Sequence, residues 1–146
     1  MLFVIYSKIF YVQVDQLTKK NSNCFYRKKV LEMELTITSE AAQRLPKGIT
    51  QFILTANDGS NQFSSAEGCC MIGERFLITP IEEIIVPFTL EIPSNLFTFY
   101  TSEYDTMFLT GHLELMVHPT SGTLVLKNES GYLDNNVLVL KTTTIQ

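Results

Sequence analysis

In the run His112-Leu113-Glu114-Leu115-Met116-Val117-His118, Leu113, Leu115 and Val117 alternate with His112, Glu114, Met116 and His118. A period of two puts the first set on one side of an extended chain and the second on the other, the pattern of a strand with one buried face. Other short runs rich in aliphatic, β-branched and aromatic residues read the same way. They are Glu34-Leu35-Thr36-Ile37-Thr38, Gln51-Phe52-Ile53-Leu54-Thr55, Phe76-Leu77-Ile78-Thr79, Phe97-Thr98-Phe99-Tyr100, Thr106-Met107-Phe108-Leu109, Leu124-Val125-Leu126 and Val137-Leu138-Val139-Leu140. The run Ile84 to Ile92 is also strand-like, with Pro87 arguing for an edge strand or a bulge. Asn57-Asp58-Gly59-Ser60 and Asn128-Glu129-Ser130-Gly131 are turn signals, because Asn, Asp and Gly tolerate positive φ.

One helix is expected. Thr38 or Ser39 is placed to cap it, and Glu40 falls in its first turn, where negative charge suits the helix dipole. Ala41 to Leu45 continue it for about two turns before Pro46 and Gly48 end it. The expected class is therefore α+β and mostly β, with one short helix near the start of the body.

The length of 146 residues fits one domain with a hydrophobic core. Charge is uneven along it. Lys8, Lys19, Lys20, Arg27, Lys28 and Lys29 against Asp15 and Glu32 give residues 1–32 a net +4, while the remainder carries −8. An acidic body lacks the cationic surface that supplies most nucleic-acid affinity, so no nucleic-acid partner is expected. Met33 opens the clean strand pattern, and Lys28-Lys29-Val30 can be encoded by a purine-rich run like a bacterial ribosome-binding site. Residues 1–32 are therefore expected to be a translated leader, the alternative being a genuine basic tail, and 33–146 the core domain. The apolar residues Met1–Tyr6 and Ile9–Val12 are interrupted by Lys8 and fall short of the roughly 17–25 residues of a spanning helix. No basic segment precedes them and no small-residue cleavage site follows, so neither membrane anchor nor signal peptide is expected.

Three cysteines, two of them adjacent, do not make a secreted disulfide framework, and a cytoplasmic location is expected. Cys69 and Cys70 lie in Ser65-Ala66-Glu67-Gly68-Cys69-Cys70-Met71, where soft-ligand chemistry concentrates. Neighbours in an extended chain point to opposite faces, and Cα atoms about 3.8 Å apart are too close for an unstrained disulfide. One cysteine is thus expected to face a site while the other packs, the alternative being two small buried hydrophobes.

His112, Glu114 and His118 invite a metal reading, but six residues of strand separate the histidines by about 20 Å, and a solvated face is expected. Adjacent Glu82 and Glu83 read as a solvated turn. Phe97, Phe99, Tyr100 and Tyr104 could stack on a ligand, though packing is the commoner use of such residues. No hydrolase elbow, paired zinc histidines or phosphate-cradling glycine loop occurs.

Met33 to Leu140 resembles the HesB/IscA-like core domain of iron–sulfur cluster biogenesis proteins, in particular a small Gram-positive subgroup. The similarity rests on Leu35-Thr36-Ile37-Thr38-Ser39-Glu40-Ala41-Ala42, on Glu67-Gly68-Cys69, and on Leu124-Val125-Leu126-Lys127-Asn128-Glu129-Ser130-Gly131-Tyr132-Leu133-Asp134. It implies a small β-sandwich or barrel-like domain and a non-catalytic role in cluster assembly or carriage, or in iron binding. Iron or an iron–sulfur cluster would be held by Cys69 and Cys70. Cys70 stands where the subgroup has glycine and Met71 where it has its second cysteine, and the C-terminal Cys-Gly-Cys of typical carriers is absent. One chain thus offers too few thiolates for a cluster that takes four, and a homodimer could supply them. Assembly proteins are the other implied partners. A degenerate protein- or small-molecule-binding module without metal is the alternative, and a thiol enzyme a third reading.

Overall fold

The computed structural model describes residues 33–64 and 75–141. The expectation for residues 1–32 lies outside them. The chain runs β1 (Glu34–Ile37), α1 (Ser39–Arg44), β2 (Gln51–Ala56), β3 (Phe76–Ile81), β4 (Leu90–Ile92) and β5 (Thr98–Thr101). A 3₁₀ turn (Asp105–Met107) follows, then β6 (His112–Val117), β7 (Leu124–Asn128), β8 (Gly131–Asp134) and β9 (Leu138–Val139). The class is α+β and mostly β, as the residue patterns imply.

The strands form two mixed sheets, one ordered β1-β6-β7-β8 and the other β4-β5-β2-β3-β9. Alternation decides what lies between them. Leu35 and Ile37 of β1, Leu113 and Leu115 of β6, and Leu124 and Leu126 of β7 point inward. They meet Phe52 and Leu54 of β2, Ile78 of β3 and Phe99 of β5 in one core. Phe52 stacks on Phe99 at 5.4 Å and meets the edge of Phe97 at 5.5 Å. Ala41 and Leu45 bring α1 into the same core. Thr38 is the residue that caps this helix, its hydroxyl accepting from the Ala41 N–H at 3.2 Å.

The five-stranded sheet is covered on its other face as well. There Ile53, Leu77, Ile81 and Tyr100 pack with Phe63 and Phe88 from flanking loops in a second, smaller core. Burial on both faces explains why every residue of β3 is buried. Thr79 is part of that strand, and its buried hydroxyl has no hydrogen-bond partner among the described residues. The free edge of β1 is covered by residues 93–95. Leu35 N–H donates to Pro93 O at 2.8 Å, and the Asn95 amide bonds both the N–H and the carbonyl of Ile37.

Several runs differ from their expected form. Ile84 to Thr89 is not strand: Phe88 N–H donates to Ile85 O and Thr89 N–H to Pro87 O, so local turns replace a ladder, and only Leu90–Ile92 pairs. Ile85 and Phe88 pack inward while Ile84 and Val86 are exposed, a spacing of three that suits turns; the run resembles a strand in composition, not in alternation. Thr106 to Leu109 is a 3₁₀ turn and its continuation: Met107 N–H donates to Tyr104 O, and the N–H groups of Phe108 and Leu109 both donate to Asp105 O. Phe97 has φ 63°, so β5 begins one residue later, at Thr98. No helix among the described residues is long and apolar enough to cross a membrane.

Candidate functional site: a clamped strand pair and an adjoining cleft

Strands β2 and β3 are antiparallel partners whose last pair is Ala56 with Phe76. One step beyond, Asn57 N–H donates to Arg75 O at 2.7 Å. Hydrogen-bonded and non-bonded pairs alternate in such a ladder, so the N–H groups of Ala56 and Phe76 point away from each other, toward the outer neighbours of the two strands. Those neighbours have ended: β5 matches β2 only over Gln51–Ile53, and β9 matches β3 only at Leu77 and Ile78. Two buried carboxylates take their place. Asp105 Oδ1 accepts from Ala56 N–H at 2.9 Å, and Asp134 Oδ2 accepts from Phe76 N–H at 2.9 Å.

Both aspartates are otherwise satisfied. Asp105 Oδ2 accepts from Thr55 Oγ1 at 2.7 Å and Ser102 Oγ at 2.6 Å, with longer bonds from Thr101 Oγ1 and Ser102 N–H. Asp105 N–H in turn donates to Ser102 Oγ. Asn61 extends the network, its amide donating to Thr55 Oγ1 and to Ala56 O. Asp134 Oδ1 accepts from Asn136 N–H at 3.0 Å. Asp134 closes β8 of the four-stranded sheet, so its bond to Phe76 also ties the two sheets together. A buried carboxylate is stable only where such donors replace water. The chain between this clamped pair contains Cys69 and Cys70, which fall at residues 65–74 and lie outside the described residues.

On the outer face of the five-stranded sheet, beside Thr55, opens a cleft of about 510 Å³. Thr55, Asn61 and Ser102 form its polar part, Val86, Pro87 and Phe88 an apolar wall, and Glu103 and Tyr104 part of its lining. Tyr104 donates its hydroxyl to Asp58 Oδ2 at 2.6 Å and meets Phe108 edge-on at 5.4 Å. Partial burial pushes the Asp58 carboxyl up, but the bonds from Ser60 and Tyr104 outweigh this and hold it below the ordinary carboxylate value. The Tyr104 phenol is raised, chiefly by donating to Asp58, with burial and the Asp58 charge adding to this.

The signs define a pH window. Tyr104, raised, contributes stability that is complete below its ordinary value and lost as pH rises through its folded one; Asp58, lowered, contributes stability that is lost as pH falls through its folded value. Ultraviolet titration is expected to show one phenol ionising later than its ordinary value near 10. Tyr104→Phe removes that late step and Asp58→Asn returns it to the ordinary value; a late step that survives both substitutions contradicts the assignment.

Among the described residues the two histidines take separate, non-converging partners. His112 Nδ1 lies 3.3 Å from Glu34 Oε2, whereas Glu129 Oε1 lies 4.0 Å from Nε2, on the opposite side of the ring, so one ion cannot take all three groups. Glu129 also accepts from His112 N–H, which foremost holds its carboxyl below the ordinary value. Glu114 pairs with Lys127 at 3.8 Å. His118 Nδ1 accepts from the N–H groups of Thr120 and Ser121, a turn-forming role. Among the described residues no group of three or more His, Cys, Asp or Glu is placed to hold a metal. Glu82 and Glu83 are exposed, as expected of a solvated turn, and Phe99 and Tyr100 are packed.

Neither buried aspartate is singled out by reading the sequence. Asp105 had a local signal in Ser102-Glu103-Tyr104-Asp105, the spacing of a capping box. Asp134 had none that separates a clamp from a turn residue.

The family model for iron-sulphur cluster biosynthesis matches residues 33–141. Two crystal structures share the fold. A Lactobacillus acidophilus protein assigned to Fe-S biosynthesis superposes with a TM-score of 0.58 at 22% identity, over 73% of this chain and 87% of that one. A Lactobacillus salivarius protein with the same assignment gives a TM-score of 0.57 at 22% identity, over 73% of this chain and 95% of that one. No curated protein matches.

Proposed function

Because this chain belongs to the iron-sulphur cluster biosynthesis family, of the HesB/IscA-like type, we propose that it assembles or carries iron–sulfur clusters, or binds iron, without being an enzyme. The cluster is then cargo. Cys69 is the first thiolate ligand and Cys70 the second, since a thiolate is the soft donor that iron–sulfur clusters take. Family membership across residues 33–141 is the observation that carries this reading. The clamp at Ala56 and Phe76 supports it, because it fixes the two chain positions from which the cysteine-bearing segment departs and returns. Two thiols per chain fall short of four, so the proposal includes a homodimer that shares the cluster. Cluster assembly proteins are the partners that donate or receive it. The cytoplasm is the proposed compartment, resting on the lack of a disulfide framework in the sequence.

Anaerobic reconstitution with iron and sulfide, followed by visible absorption, tests the reading. The native protein is expected to develop charge-transfer bands that Cys69→Ala abolishes and Cys70→Ala weakens. Bands of equal strength in the native protein and Cys69→Ala would remove Cys69 from the ligand set. A colourless native protein would favour a second reading, a binding module without metal, which the cleft beside Thr55 supports.

A further inference from the structure

We propose that the cleft is a docking site for a basic, partly apolar segment of another protein, one presenting arginine or lysine next to an aliphatic or aromatic side chain. This stands on the cleft alone and does not depend on cluster binding.

Charge points to the sign of the partner. Three loops surround the cleft, residues 57–64, 82–89 and 102–108. Together they contain Asp58, Glu82, Glu83, Glu103 and Asp105 and not one lysine or arginine. Asp105 is consumed by its buried network and Asp58 by Tyr104. Glu103 lines the cleft, is exposed, and has no ion-pair or side-chain hydrogen-bond partner among the described residues. A cation placed there gains a carboxylate at no cost to an existing pair. Tyr104, which also lines the cleft, is 42% exposed and adds aromatic surface beside Glu103.

Apolar surface points to a protein segment rather than to a small cation. The wall of Val86, Pro87 and Phe88 continues outside the cleft. Val86 is 77% exposed, and Ile84, Met107 and Phe108 on the same loops are 54%, 52% and 41% exposed. A small ligand filling the cleft would leave these side chains in water, whereas a peptide crossing it would cover them. Aromatic anchors ringed by charge are the usual composition of such a surface.

The full chain contains no tryptophan, so a tryptophan-bearing peptide can be followed by its own emission. The probe is acetyl-Arg-Leu-Trp-Arg-Leu-amide, and its control replaces both arginines by glutamate. The arginine peptide is expected to bind and the glutamate peptide not to. Glu103→Lys is expected to weaken binding about tenfold, a surface charge pair having become a repulsion. Val86→Asp should weaken it similarly through the apolar wall. Both positions are exposed, and circular dichroism confirms that the variants fold. High salt, which cuts the Debye length to about 3 Å at 1 M, should weaken the arginine peptide as well. Equal binding of the two peptides, no binding of either, or binding unchanged by both substitutions overturns the proposal. So does binding of free arginine amide as tightly as the peptide, which would make the occupant a small molecule.

Discussion

Asp105→Ala is expected to lower stability by about 3–5 kcal/mol, a large part of the roughly 5–15 kcal/mol that holds a domain of this size together. The substitution removes the acceptor of the Ala56 N–H and of both the Thr55 and Ser102 hydroxyls, all at buried positions. Each buried donor left without a partner costs about 1–3 kcal/mol; Thr55 and Ser102 line the cleft, where water can replace part of the lost acceptor, whereas the Ala56 N–H is not part of that lining. Asp105→Asn keeps the shape and one carbonyl oxygen but turns an amide donor toward other donors, so a smaller loss is expected. Urea unfolding followed by far-ultraviolet circular dichroism measures both. A loss below about 1 kcal/mol for the alanine variant would mean that the network is not what secures the ends of β2 and β3.

Phe52→Ala is expected to cost a similar 3–5 kcal/mol by a different route. The ring is fully buried between the sheets, stacked on Phe99 and edge-on to Phe97. Its removal leaves a cavity that two sheets pinned by Asp134 and Asn95 cannot collapse to fill. The loss comes from apolar burial and ring contacts, so it should persist at high salt and across the neutral pH range. Phe52→Leu, which fills more of the space, should recover much of it. Equal loss in both variants would contradict a packing origin.

The two substitutions bracket what the sequence made legible. Phe52 lies in a strand whose composition and flanking Asn-Asp-Gly turn identify it locally, and β1, β3, β5, β6 and β7 are legible for the same reason. The capped helix at Ser39–Arg44 is also visible, because Thr38, Glu40, Pro46 and Gly48 mark its ends in the chain itself. Legibility failed where a tertiary partner decides the conformation. Ile84–Thr89 has the apolar, β-branched composition of a strand because Ile85 and Phe88 reach the second core, yet its backbone bonds close local turns and not a ladder. Strand β8 is short, begins at a glycine and ends in a buried aspartate, so its composition conceals a pairing fixed by β7.

The candidate site divides in the same way. Cys69 and Cys70 are visible as residue types with suitable chemistry. The clamp formed by Asp105 and Asp134 is not visible, because it exists only once register has set which N–H groups of Ala56 and Phe76 lack a strand partner. A carboxylate taking the place of a missing strand has no sequence period. It is recognised by where its acceptor oxygens lie.

In the proposed carrier, two chains that each contribute Cys69 and Cys70 hold one cluster between them. Native mass spectrometry of the anaerobically reconstituted protein addresses this arrangement most directly, since it reads chain number and bound iron and sulfide in the same ion. Cluster mass is expected on dimers only, with dimers free of cluster mass when Cys69 is replaced by alanine. Cluster mass on a single chain, or retained in full by the Cys69→Ala dimer, would contradict it.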